Sequence, residues 1–142
     1  MKSQLKEKQT LTLAVAKTVA AAAEAEAAAH GWTVVIALVD DGGHLIYLQR
    51  MDETQVGSID IAVAKAASAV NFKRPTKAFE DALAGGRQAI LALPGAMPVE
   101  GGLPLSSQEA IVGAIGVSGV RADEDGLIAR AGVAAFEQLL ES

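Results

Sequence analysis

The chain has no cysteine, which excludes a disulfide scaffold, thiolate zinc sites, iron–sulfur clusters and a cysteine nucleophile. It has two histidines, His30 and His44. That is too few for a histidine-rich metal cage, so no structural metal is expected. Aromatic residues make up 4% of the chain although hydrophobic residues reach 51%. Alanine carries much of that apolar share, and a core of small side chains suits close helix–sheet packing. Basic residues are few as well: 12 Lys and Arg face 17 Asp and Glu, for a net charge of −5. Neutralising phosphates requires a basic surface, so nucleic acid is not an expected partner. Neither the Walker pattern nor the dinucleotide fingerprint occurs, so no nucleotide is expected.

Long uncharged apolar runs are missing too. The alanine-rich stretch Ala20–Ala29 carries Glu24 and Glu26 and is no membrane span. Met1–Lys8 is charged with mixed sign, and no apolar segment follows it at signal-peptide spacing. The expectation is a cytoplasmic protein with no membrane partner. A length of 142 residues corresponds to one domain over 1–142. Charged residues make up only 20%, which favours hiding surface by self-assembly.

Thr10 or Thr12 can cap a first helix that Gly31 stops, with Leu11, Val15, Val19, Ala22 and Ala23 at helical spacing. Thr33–Val39 is a short β-branched run of the kind buried on both faces of a sheet. Asp40-Asp41-Gly42-Gly43 is a turn and His44–Met51 alternates, so the two runs make a hairpin. Ser58 is expected to cap a second helix, Ile59–Asn71. Arg74-Pro75-Thr76 breaks it before a short third helix, Lys77–Leu83. Gln88–Leu93 reads equally as a short helix or a loop. Pro94–Pro104, with three of the four prolines, reads as a shaped loop. Leu103–Leu105 and Ala110–Val117 read as strands around a Ser106–Glu109 turn, and Asp123 is expected to cap a last helix, Glu124–Leu140. The order helix, hairpin, two helices, hairpin, helix predicts an α+β fold with an antiparallel sheet.

Lys65 stands out on the second helix. Ile59, Ala62, Val63, Ala66, Ala69 and Val70 form an apolar face beside the stripe that holds it. A desolvated lysine can act as an acid–base group, a Schiff-base amine or an anion ligand; at a helix edge it can instead snorkel to water. No acidic residue lies three or four positions away, so its partner must be tertiary. Asp52 and Glu100 are the expected candidates. Arg50 and Asp52 are close enough to pair, either to orient a carboxylate substrate or to pin the hairpin. His44, beside the turn, can hold haem iron or move a proton, or simply stand in solvent. His44 and Arg50 share one strand face about 20 Å apart at about 3.3 Å per residue, too far for one small ligand within a subunit. Gly101 and Gly102 can expose amides as an anion nest beside the Glu100 carboxylate. Met51 and Met97 read as core filler.

Five blocks follow one another in a familiar order: VDDGGHLIYLQRMD, GSIDIAVAKA, FKRPTKAFEDAL, LPGAMPVEGGLPL and AIVGAIGVSGVRADEDGLIARAG. The chain, from about Leu11 to Leu140, resembles the GlcG/HbpS-like family of haem-binding and haem-degrading proteins, which includes glycolate-operon accessory proteins and the C-terminal domain of some cobalamin adenosyltransferases. The resemblance implies a profilin-like fold, an antiparallel sheet packed by helices, assembled into homo-oligomers from dimer to octamer. It implies a small-ligand site, with haem as cofactor, at His44, Arg50, Met51, Asp52, Lys65, Arg74, Thr76, Glu100, Gly101 and Gly102. The expected function is binding of haem or a related tetrapyrrole for storage, sensing or slow degradation, with His44 as the iron ligand. The alternative is a small-molecule enzyme or accessory protein of hydroxy-acid or other carbon catabolism. There Lys65, Asp52 and Glu100 supply the catalytic groups and Arg50 holds a carboxylate.

Overall fold

Thr12 ends the extended N-terminal segment by accepting the Val15 N–H at 3.3 Å, and the first helix, α1, runs Leu13–Ala29. The computed structural model describes residues 4–142, so Met1–Ser3 of the charged N-terminal stretch lie outside the described residues. The hairpin follows as β1, Val35–Asp40, and β2, Leu45–Arg50. Next come α2, Ser58–Asn71, α3, Thr76–Ala84, and a 3-10 turn over Gln88–Ala92. The second hairpin is β3, Gly102–Ser107, and β4, Ala110–Ser118; α4, Ala122–Glu141, closes the chain. Gln108 and Glu109 both adopt positive φ at the β3–β4 turn, as a two-residue hairpin connection requires.

Both expected hairpins are present, and they pair with each other through β1 and β4. All pairings are antiparallel and the strand order is β2-β1-β4-β3. The sheet has a helix layer on each face. Toward α1 and α4 it presents Ile36, Leu38, Ile115 and Val117, which pack on Val19, Ala20, Ala23, Ile128 and Phe136. Toward α2 it presents Val35, Ala37, Val39 and Ala114, which pack on Ala62, Ala66 and Ala69.

Small residues set the spacing of these layers. A Cβ on Gly116 of β4 would lie 2.6 Å from the Ala66 nitrogen and strike the Ala62 carbonyl of α2. Helix and sheet therefore touch backbone to backbone, which explains how a core with few aromatics packs densely. The helix starts depart from the sequence reading. Ser58 is the first residue of α2 rather than its cap, and its buried hydroxyl accepts from Gln55 Nε2 at 2.9 Å. The residue before α4 is Arg121, not Asp123: its N–H donates to Glu124 Oε1 at 3.2 Å, while Asp123 is held by the Arg121 guanidinium. No helix among the described residues is long and apolar enough to cross a membrane.

Candidate functional site

Lys65 sits midway along α2 with its side chain 1% exposed. Its Nζ donates to the Val117 carbonyl at 2.9 Å and to Asp125 Oδ2 at 3.1 Å. The other Asp125 oxygen accepts the Val120 N–H at 3.1 Å. The lysine does not snorkel, and its partner is neither Asp52 nor Glu100. β4 passes under α2, and the turn at Gly119 and Val120 feeds directly into α4. That path brings the first turn of α4, and Asp125 with it, to the lysine. Burial pushes the Asp125 carboxyl up to about 6, against the pull of the Lys65 ammonium and of the Val120 and Gly119 amides.

Gly101 and Gly102 make room for this lysine. A Cβ on Gly101, whose φ is +134°, would lie 2.8 Å from Lys65 Nζ. One on Gly102 would strike the Lys65 carbonyl and reach Thr76 Cγ2 at 2.8 Å. The anion-nest reading loses one of its two amides here. The Gly102 N–H donates to the fully buried Thr76 Oγ1, and the Glu100 N–H to Glu80 Oε1, each at 2.9 Å. The segment is also less of a loop than its prolines suggest, since Gly102 and Pro104 pair with Gly116 and Ala114 in the sheet. The Glu100 carboxylate, largely buried against Gly126, lies 3.3 Å from Arg130 Nη1. Lys65, Thr76, Glu100, Gly101 and Gly102 thus come together at one end of the sheet, but as an interlocked interior.

The remaining candidates stand apart from that interior. Arg50, Met51 and Asp52 line a shallow groove of about 500 Å³ with Glu24, Thr33 and Gln49. Arg50 and Asp52 are exposed and form no ion pair with each other among the described residues. Glu53, at φ +72°, turns the chain between them and α2. Arg74 donates from Nε to the Phe72 carbonyl at 2.9 Å and lies over the Phe79 ring at 5.4 Å, which fixes the α2–α3 corner.

His44 occupies the opposite end of the sheet, where Asp40 pairs with Gly113 rather than Val35 with Ser118. Its backbone N–H donates to Asp40 Oδ1 at 3.0 Å, and its imidazole is 83% exposed with Nδ1 3.5 Å from the same oxygen. Nε2 faces no protein partner among the described residues. Asp41 of the same turn lines an open groove of about 930 Å³ together with Lys6, Lys8, Val70, Lys73 and Ile111. That volume lies within the range of small-molecule sites, about 300–1,000 Å³. No cluster of three or more metal-ligating side chains occurs among the described residues.

Asp125 and Arg130 were missed by sequence reasoning. The apolar stripe of α4, Ile128, Ala129, Gly132 and Phe136, extends one turn back onto Asp125. An acidic side chain on a buried stripe signals an interior partner more strongly than its place in the first turn signals the helix dipole.

The chain is 40% identical over 89 residues to protein GlcG of Escherichia coli K12, an alignment covering 63% of this chain and 66% of that protein. It therefore spans just under two-thirds of the length of that relative. The crystal structure of Klebsiella pneumoniae protein ORFY matches with a TM-score of 0.89 at 36% identity, over 94% of this chain and 95% of that one. A crystal structure of a PduOC:haem complex matches with a TM-score of 0.80 at 25% identity, over 89% and 94% of the two chains. The model of the family described as haem degrading protein HbpS-like matches residues 11–134. Its helix-clad antiparallel sheet agrees with that match, and the chain belongs to the HbpS-like family.

Proposed function

We propose that this protein binds haem or a related tetrapyrrole as a self-assembling cytoplasmic protein, for storage, sensing or slow degradation. Membership of the HbpS-like family and the likeness to a haem complex support the ligand class. The observation that carries the reading is His44, an exposed imidazole with an unengaged Nε2 on the turn that borders the 930 Å³ groove. The groove is lined by Val70 and Ile111 as an apolar patch, by Lys6 and Lys73 as cations for carboxylates and by the acidic Glu7, Asp41 and Glu109. His44 is outside that lining, three residues from Asp41 on the same turn, and would offer its imidazole nitrogen to iron from the rim. When bound, haem supplies an iron centre able to engage an imidazole and to react with oxidants. Asp40 fixes the turn that carries His44, through its contacts to the Gly42 and His44 amides. Assembly into a homo-oligomer, from dimer to octamer, is part of the reading because a site this open needs a second surface to exclude water.

The competing reading is an enzyme of hydroxy-acid or other carbon catabolism working through Lys65, Arg50 and Asp52. It requires an ammonium reachable from the Arg50–Asp52 groove. Lys65 is 1% exposed and does not line that groove. Titration of haemin into the purified chain tests the leading reading. A saturable Soret shift at one haemin per chain is expected; a spectrum equal to that of free haemin at every ratio contradicts it.

A further inference from the structure

Both carboxylate oxygens of Asp41 are taken by residues far upstream in the chain. Thr10 Oγ1 donates to Asp41 Oδ1 at 2.7 Å, and Lys8 Nζ lies 2.6 Å from Oδ2. The Asp41 side chain is only 18% exposed, although it stands on the turn between β1 and β2. The segment it holds has little else to hold it. Residues 6–10 are irregular and exposed throughout, and their backbone makes no hydrogen bond among the described residues. The first backbone anchor is Leu11, which is buried and donates its N–H to the Val112 carbonyl at 2.9 Å. Ordering residues that lack backbone bonds costs conformational entropy, and an ion pair with an exposed lysine offsets little of it. The same segment shapes the groove beside the His44 turn. Lys6, Glu7, Lys8 and Gln9 form one wall of that 930 Å³ space, and Asp41 lines it as well.

We propose that residues 6–10 are a strap along this groove and that Asp41 is the positioning residue that latches it, so that a groove-bound ligand and the latched strap stabilise each other. This rests on the reading of the groove as the tetrapyrrole site and gives that site a movable wall. A ligand lying against Lys6, Glu7 and Gln9 makes those contacts only when the strap is in place. It therefore binds the latched form more tightly and shifts the strap toward it by that difference. The coupling is reciprocal: a strap released from Asp41 weakens the ligand by the same factor. The core stands outside this coupling. None of residues 6–10 is buried, and the Asp41 side chain bonds to Lys8 and Thr10 rather than to any residue of the helices or the sheet among the described residues.

Nitrogen-15 relaxation at the Gln9 amide of the haem-free chain reads the strap directly. The wild-type order parameter should be about 0.85, as in a rigid backbone, and should fall below about 0.6 in Asp41→Ala. The melting temperature of Asp41→Ala should stay that of wild type, while haemin affinity drops by about tenfold or more. Lys8→Asp combined with Asp41→Lys rebuilds the ion pair with its charges exchanged and should restore the order parameter. A Gln9 amide equally ordered in wild type and Asp41→Ala, or mobile in both, overturns the latch. Failure of the exchanged pair to restore order overturns the ion pair as its cause. A released strap with unchanged haemin affinity overturns the coupling and leaves haem binding standing. Wild type that leaves the haemin spectrum unshifted removes the ligand reading and the coupling together, while the order parameters still decide the latch.

Discussion

Lys65 and Asp125 are 60 positions apart in sequence, and their charges meet at 3.1 Å in the interior. The pair ties the middle of α2 to the first turn of α4 across the end of β4. Removing one partner leaves the other charged and without compensation. Lys65→Met should therefore lower unfolding free energy by about 3–5 kcal/mol at neutral pH. Lys65→Met together with Asp125→Leu should recover most of that loss, because an apolar pair needs no compensation. Urea unfolding of the two single variants and the double gives the coupling. A loss under about 0.5 kcal/mol for Lys65→Met would mean that the lysine reaches water.

The same pair predicts a pH dependence. Asp125 has a folded pKa near 6 against an ordinary 3.8. Between those values the folded chain holds a proton that the unfolded chain has released. Its contribution to stability therefore rises as pH falls from about 7 to about 5. Asp125→Asn should lack this component, and the cost of Lys65→Met should shrink at pH 5, where a protonated Asp125 needs no counter-charge. Asp41 and Asp123 sit below the usual carboxylate range beside Lys8 and Arg121. They act in the opposite sense at lower pH, which makes melting curves above about pH 5 the useful ones. Parallel curves for wild type and Asp125→Asn would contradict the raised carboxyl.

Thr76 is fully buried, and its hydroxyl accepts the Gly102 N–H. Thr76→Val keeps the shape and strands that amide. The expected loss is about 1–3 kcal/mol in chemical denaturation, the cost of an unsatisfied buried donor. Thr76→Ser keeps the acceptor and should lose less. Equal losses for the two variants would assign the effect to packing alone.

The elements that turn chemistry marks were legible in the sequence. Asp40-Asp41-Gly42-Gly43 placed the first hairpin, and the β-branched run before it ended in a strand with all of Val35–Val39 buried. Lys65 was singled out because its helix neighbours are apolar and carry no acid. Its partner was not legible, because Asp125 reaches it only after β1 and β4 pair and β4 delivers α4 to that end of the sheet. Local pattern does not encode that long-range register. The same limit hid the separation of His44 from the Gly101–Gly102 turn, which sequence similarity grouped into one site. Glu100 was read as reactive; the fold gives its charge to Arg130.

Tetrapyrrole binding at the His44 turn is tested most directly by comparing the two histidines. The two histidines differ in commitment: His30 lies 2.8 Å from Glu26 and stacks on Trp32 at 4.3 Å, whereas the His44 imidazole is free at Nε2. Absorption spectra of one equivalent of haemin added to wild type, His30→Ala and His44→Ala should show the same shifted Soret band for the first two and its loss in the third. A wild-type spectrum from His44→Ala would contradict the account.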